Sequence, residues 1–175
     1  GSGGFTSGNR DLYASLEDAG FQTNPTLKEF YNNNSASGAA RAANSSDLDS
    51  GGNQMISTAE TPQSMYTDEV TASYADYSDA ALVVITRIGG EGFDLPRYQG
   101  STAGAVSADS HYLQLDQNEI DLLDAVCNAG FKRVVVLFNI PSSFEATFLT
   151  DPNYAPFADK IDAAMWIGFT GSNGI

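Results

Sequence analysis

Glu91 is the residue whose type and surroundings best suit acid/base chemistry in this sequence. It lies in the stretch Gly89-Gly90-Glu91-Gly92, where three glycines free the backbone for tight or left-handed turns. The glycines also remove side-chain bulk, so that a ligand could approach the carboxyl group closely. Two interpretations are open: a loop carboxylate that is solvated or caps a nearby helix, and a catalytic acid/base at the rim of a cleft.

Three charged side chains lie close to Glu91 in the sequence. Asp94 follows three residues later and is expected to brace the loop by accepting backbone N–H groups, with a contact to substrate as the alternative. Arg87 and Arg97 flank the loop and are expected to form ion pairs with Asp94 or Glu91. Together these residues define a candidate site.

His111 and Trp166 are two further candidates. The run Asp109-Ser110-His111 does not predict a catalytic triad, because triad members meet through folding and rarely adjoin in sequence. His111 is the only histidine, which excludes a multi-histidine metal site, and it is either a plain loop residue or a ligand contact. Trp166 is expected to lie in the core, with stacking on a sugar as the alternative.

The residues before Glu91 predict a buried strand that would position it. Residues 81–85 form an unbroken apolar run rich in β-branched side chains, a pattern typical of parallel strands covered on both faces. In open α/β sheets, ligands bind beyond the carboxyl ends of the strands. Glu91 follows this strand and therefore lies where such a site is expected.

The remaining elements predict an α/β fold. Helices and strands alternate at a spacing typical of a mostly parallel sheet with helices on both faces and right-handed crossovers, a flavodoxin-like three-layer sandwich. The predicted elements are helices at 12–19, 25–31, 67–76 and 115–129, strands at 81–85, 134–138 and 161–167, and a short helix at 144–149.

Several local signals define these helices. Asp116 is the expected N-cap of the long helix, with Glu119 completing a capping box and Gly130 ending the helix. The first helix is expected to be capped by Asn9 or Ser7, a prediction made from residue type alone. In the helix 67–76, Val70 and Tyr74 are expected to face inward. The single Cys127 excludes an internal disulfide and a cysteine metal cluster, and it is predicted to be a buried thiol.

Composition narrows the class of partner. The chain has 175 residues and a net charge of −14, from 22 acidic and 8 basic side chains. A protein this acidic would repel phosphate groups, so binding to nucleic acid or to an anionic membrane surface is not expected. No apolar run reaches the roughly 20 residues of a membrane span, and the first residues of the given sequence do not show the charged-then-apolar pattern of a secretory signal. Neutral, hydroxyl-rich ligands such as sugars fit this composition.

Two stretches interrupt the pattern. Residues 32–64 are rich in Asn, Ser, Ala and Gly and predict a long surface excursion, with a short helix near 39–43. Residues 94–112 predict a second irregular excursion. The chain opens with a glycine turn that normally follows a strand and stops where another helix should begin, so that we expect an incomplete part of a larger two-domain protein.

Several of these segments resemble one known family in order and spacing. The run from Ser78 to Ile85 followed by Gly90-Glu91-Gly92-Phe93-Asp94 resembles the C-terminal domain of family 3 glycoside hydrolases. Further similarity lies in Leu113-Gln114-Leu115, in residues 134–139 and in residues 161–166. The resemblance covers most of the chain except residues 32–64.

The resemblance implies that residues 1–175 belong to an α/β domain that lies beside a (β/α)8 barrel of the same enzyme. In that family the barrel carries an aspartate nucleophile, and the Gly-Glu-Gly loop supplies the general acid/base, which corresponds to Glu91. Members are retaining exo-glycosidases, often β-glucosidases. The implied substrate is a β-linked oligosaccharide or glycoside, contacted by Phe93, Asp94 and Arg97, with no cofactor and no metal.

One departure from the family pattern affects the substrate. Members often have arginine directly after the position of Asp94, whereas this chain has Leu95, so that Arg97 takes its place or the subsite differs. Two alternatives to the glycosidase hypothesis also remain. The first is a non-catalytic carbohydrate-binding or interface domain, and the second is an unrelated flavodoxin-like ligand domain.

Overall fold

The computed structural model of the protein describes residues 11–34, 42–44, 54–57, 60–87, 95–100 and 104–168. Within these residues, regular elements follow one another in chain order. The α-helices are α1 (Leu12–Asp18), α2 (Pro25–Asn34), α3 (Asp68–Ser73) and α4 (Gln117–Asn128). The strands are β1 (Ala42–Asn44), β2 (Gln54–Ser57), β3 (Ala81–Thr86), β4 (Val134–Asn139) and β5 (Ala163–Trp166).

The main sheet is parallel, as the order of elements predicted. Its strands run in the order β3-β4-β5. Strand β3 pairs with β4 from Ala81 opposite Val134 to Thr86 opposite Asn139. Strand β4 pairs with β5 up to Phe138 opposite Trp166. The predicted α/β class with a parallel sheet is therefore confirmed, and the three-stranded sheet with four α-helices is consistent with a sandwich fold.

The core lies on one face of this sheet. Val83, Ile85, Val136 and Phe138 alternate with residues of the opposite face, as the two-residue period of strands requires. Helix α4, which connects β3 to β4, and the segment between β4 and β5 both pack on this face. They contribute the buried side chains Leu122, Leu123, Val126, Ile140, Phe148, Ala155, Phe157 and Ala158.

The prediction that β3 is covered on both faces is wrong at Leu82. That side chain is 39% exposed, whereas its neighbour Val83 is 4% exposed. On the same face of the sheet, Met165 of β5 is 58% exposed. The reason is that helix α4 packs against the Val83 face, and an apolar run in the sequence does not reveal which face another element covers.

Helix α4 begins and ends where local signals predicted. The Asp116 carboxylate accepts the N–H of Glu119, and the Glu119 carboxylate accepts the N–H of Asp116, so that the capping box is complete. Gly130 follows the helix with a φ of +89°, a conformation that side chains disfavour. Cys127 is only half-buried, packed beside the core, and burial raises the pKa of its thiol to about 11.

The cap of helix α1 differs from the prediction. Helix α1 is capped by Asp11, whose carboxylate accepts the N–H of Ala14 at 2.7 Å, rather than by Asn9 or Ser7. The aspartate lies directly before the first helical residue, as an N-cap must. At the start of α2, the buried Asn24 accepts the N–H of Leu27 and donates to Ser73, which joins α2 to α3.

The helix predicted at 67–76 is divided into two parts. Thr67 caps α3, and a 3₁₀ helix continues from Tyr74 to Tyr77. Val70 is buried as predicted, and Tyr74 is partly buried with its ring 5.3 Å from that of Phe131. Both predicted inward-facing residues therefore contact the rest of the fold.

The first excursion contains strands rather than a helix where it is described. Strands β1 and β2 pair antiparallel, which contradicts a helix at positions 42 and 43. The short helix predicted at 144–149 is a 3₁₀ turn at Thr147–Leu149. Among the helices that the structure describes, none is long and apolar enough to cross a membrane.

Candidate functional site

The carboxyl ends of the three parallel strands lie at one edge of the sheet. Thr86 ends β3 opposite Asn139, and Trp166 ends β5 opposite Phe138. Ligands of open α/β sheets bind beyond this edge. Glu91 follows Thr86 by five residues in the sequence. Glu91, Phe93 and Asp94 themselves lie outside the described residues, so that their roles remain predictions.

Arg87 is the first residue after β3, and its side chain is fully buried. Its guanidinium donates to both carboxylate oxygens of Glu119, at 2.6 and 2.9 Å. It also donates to the backbone carbonyls of Tyr112, Gln114 and Thr86 at 2.7–2.8 Å. Five hydrogen bonds therefore fix the guanidinium. Its bidentate pair with the Glu119 carboxylate is charge-assisted and stronger than a hydrogen bond between neutral groups.

Among the described residues, the carboxylate that pairs with Arg87 is that of Glu119, whereas the predicted partners Glu91 and Asp94 lie outside the described residues. Glu119 takes this role because it belongs to the first turn of α4, where its capping bond to the N–H of Asp116 already fixes the carboxylate. The aromatic rings of Tyr112 and Phe144 lie 5.4 and 5.0 Å from the centre of the guanidinium. The base of the loop that leads to Glu91 is therefore anchored to the start of α4.

Gln99 is a second buried polar side chain beside this edge, and the sequence did not single it out. It is 2% exposed. Its amide nitrogen donates to the carbonyls of His111 and Leu115, and its amide oxygen accepts the N–H of Val106. Gln99 thus holds residues 95–100 and 104–115 together, and these described residues form no helix and no extended strand.

His111 and Glu145 join the loop after β3 to the loop after β4. The Nδ1 atom of His111 lies 2.5 Å from a carboxylate oxygen of Glu145, and both side chains are about half exposed. The ring of Tyr98 lies 6.0 Å from the imidazole and is 49% exposed. His111 is therefore a loop residue with a carboxylate partner, and no pattern near residue 145 could have predicted that partner.

Arg97 and Trp166 are both accessible at this edge. Arg97 is exposed, and its backbone carbonyl accepts the N–H of Tyr112. Trp166 is 50% exposed, which contradicts its prediction as a core residue. It ends β5, an edge strand of the described sheet, and its ring lies 5.6 Å from that of Phe138. Its exposed face could stack on a sugar.

Electrostatics at this edge come mainly from carboxylates. Tyr154 is 42% exposed, and partial burial, followed by the charges of Glu145 and Glu119, raises the pKa of its hydroxyl. Within the described part of the chain, no group of three or more histidine, cysteine, aspartate or glutamate side chains could hold a metal ion. The described edge therefore offers carboxylates, an imidazole and aromatic faces.

Comparison with solved structures finds a distant structural neighbour of this chain. It is a β-glucosidase from Paenibacillus barengoltzii, with 25% sequence identity and a TM-score of 0.45. The match covers 66% of this chain and 10% of that enzyme, so that the chain corresponds to a small part of its length. A TM-score of this size does not establish a shared activity. No protein-family model and no curated protein matches the chain.

Proposed function

We propose that this chain supplies the general acid/base of a retaining exo-glycosidase that removes terminal β-linked sugars, with Glu91 in that role. The observation that carries the proposal is the anchoring of Arg87. That residue lies four positions before Glu91 and is fixed by its bidentate pair with Glu119. A catalytic carboxyl group must be held at a defined position relative to the bond it cleaves, and a rigid loop base favours this.

Glu91 would act twice in each catalytic cycle. It first donates a proton to the glycosidic oxygen as the aglycone leaves, and then accepts a proton from the water that attacks the glycosyl-enzyme. The nucleophile must lie about 5–5.5 Å from it, on the other side of the sugar. Asp94 shares a short loop with Glu91 and cannot take that position. We therefore assign the nucleophile to a (β/α)8 barrel of the same enzyme.

The proposed substrate contacts are Phe93, Asp94 and Arg97. The exposed ring of Tyr98 and the paired side chains of His111 and Glu145 extend the same edge of the sheet. Aromatic faces stack on sugar rings, and carboxylates accept hydrogen bonds from hydroxyl groups. A neutral sugar also suits a chain with a net charge of −14.

The proposal is tested by trapping the glycosyl-enzyme. In the complete enzyme, Glu91→Ala is mixed with an aryl glycoside whose phenolate leaves without protonation. The carboxylate nucleophile then bonds to the anomeric carbon and phenolate departs, but no base remains to activate water. We expect the protein mass to rise by one glycosyl unit, with the modified peptide lying outside these 175 residues. Added azide should release the sugar as a glycosyl azide.

Asp94→Asn serves as the matched control, since it removes a neighbouring carboxylate from the same loop. It should turn over without accumulating the adduct, because Glu91 is still present to activate water. If Glu91→Ala accumulates no adduct and retains wild-type turnover, the acid/base assignment is wrong. The chain would then be better described as a carbohydrate-binding or interface domain.

A further inference from the structure

A second cluster of titratable groups lies away from the sheet edge, where α2 meets the stretch that leads into α3. The hydroxyl of Tyr31 lies 3.0 Å from the Oε1 atom of Glu60 and 2.5 Å from the hydroxyl of Tyr66. The hydroxyl of Tyr66 lies 2.7 Å from the same Oε1 atom. Three oxygen atoms thus form a triangle in which every side is within hydrogen-bond distance.

The number of protons in this triangle depends on the charge of Glu60. With an ionised carboxylate, the two phenolic protons can occupy only two of the three sides. On the third side, lone pairs of two oxygen atoms face each other in a poorly solvated site, which is unfavourable. A protonated carboxyl group supplies the third proton, and each oxygen then donates one hydrogen bond and accepts one.

We infer that Glu60, Tyr31 and Tyr66 form a proton-binding site, in which one extra proton completes a ring of three O–H···O hydrogen bonds. The three side chains retain some exposure to solvent, so that the proton can exchange. The site joins α2 to residues 60–66, which are separated from α2 by residues 35–59 in the sequence. This inference concerns a site separate from Glu91 and does not depend on the proposed glycosidase activity.

The surroundings of the Glu60 carboxyl group favour its protonated form. Burial raises the pKa of this carboxyl group to about 7, although hydrogen bonds from Tyr66, Tyr31 and the Thr61 backbone oppose the shift. The carboxylate of Glu119 on α4 raises it further. Burial, followed by the charge of Glu60, raises the pKa of the hydroxyl groups of Tyr31 and Tyr66.

Two further contacts complete the surroundings of the site. Tyr74, on the 3₁₀ helix after α3, has its hydroxyl pKa raised by burial and then by Glu60. Asn118 of α4 donates to the backbone carbonyl of Glu60 at 3.2 Å. In the described part of the chain, no lysine or arginine forms an ion pair with Glu60. A carboxylate without a cation in this position gains more from a proton than an exposed one does.

The site makes the stability of the fold depend on pH. Because the pKa of Glu60 is higher in the folded chain than its ordinary 4.5, the folded state binds the proton more tightly. The stabilising contribution is complete below pH 4.5, declines as the pH rises, and is lost above about pH 7. One pKa unit corresponds to a tenfold change in the folding equilibrium. Because the two pKa values differ by about 2.5, we expect a loss of about 100- to 300-fold over this range from Glu60.

The test compares Glu60→Gln with the unmodified chain. A glutamine amide that donates two N–H bonds, together with one phenolic proton, fills all three sides of the triangle without titrating. We expect the two proteins to have similar folding equilibria at pH 4.5. At pH 8 the folding equilibrium of the variant should be more favourable by about 100- to 300-fold, measured by urea unfolding. The matched control Glu69→Gln removes an exposed carboxylate of α3 and should show no such pH-dependent difference.

A direct titration keeps the inference testable if Glu60→Gln does not fold. The ¹³C shift of the Glu60 carboxyl carbon, followed by NMR in the unmodified chain, should have its midpoint near pH 7. A midpoint at or below pH 4.5 would overturn the inference. The same conclusion would follow if the unmodified chain and Glu60→Gln lost stability in parallel between pH 4.5 and 8.

Discussion

Removal of the Glu91 carboxyl group is expected to lower kcat/KM of the complete enzyme by about 10²- to 10⁴-fold for glycosides with poor leaving groups. Such substrates need a proton on the departing oxygen, because an alkoxide is too basic to leave unaided. Activated aryl glycosides need no proton, so that their first step should be slowed much less. The measurement is kcat/KM of Glu91→Ala for a series of aryl and alkyl glycosides of graded leaving-group acidity.

Azide separates the two roles of Glu91 in the same variant. It is already a nucleophile at neutral pH and attacks the glycosyl-enzyme without a base, so that kcat for activated substrates should rise with its concentration. The control Asp94→Asn should show neither the steep dependence on the leaving group nor the response to azide. A uniform loss across the series, with no response to azide, would make Glu91 a structural loop residue and refute its catalytic assignment.

The elements predicted most accurately were those with local signals. Strand β3 was predicted at 81–85 and occupies Ala81–Thr86. The prediction was accurate because a short apolar run rich in β-branched residues favours a strand over a helix. Helix α4 was predicted from Asp116, Glu119 and Gly130, which lie within one turn of its ends. Such signals act over three or four residues, so that the sequence itself displays them.

The parts of the site that could not be predicted depend on long-range contacts. Glu119 was recognised as the second residue of the capping box of α4, but its pairing with Arg87 joins residues 32 positions apart. His111 was considered, but its partner Glu145 lies 34 positions away. Trp166 was assigned to the core because it is large and apolar, whereas its exposure is determined by the position of β5 at the edge of the described sheet. Periodicity alone does not specify these contacts.

Loss of the Arg87 guanidinium is expected to lower the free energy of unfolding by about 3–5 kcal/mol. In Arg87→Met, the almost fully buried carboxylate of Glu119 would lose its pair with the guanidinium, and the carbonyls of Tyr112 and Gln114 would lose their hydrogen bonds from it. Urea unfolding at pH 7 measures this loss.

Arg133→Met provides a matched control within the same chain. Arg133 is also paired with a carboxylate, at 3.6 Å from Asp162, but its side chain is 69% exposed. An exposed pair of this kind contributes about 0–1 kcal/mol, so that the free energy of unfolding should change little.

A second substitution separates charge from hydrogen bonding at Glu119. Glu119→Gln in the Arg87→Met background should restore part of the lost stability, because an amide keeps the capping bond to Asp116 without a buried charge. If Arg87→Met lowered the free energy of unfolding as little as Arg133→Met does, Arg87 would not anchor the base of the loop. The structural support for Glu91 as a positioned acid/base would then be removed, because that support consists of the rigid connection between β3 and α4.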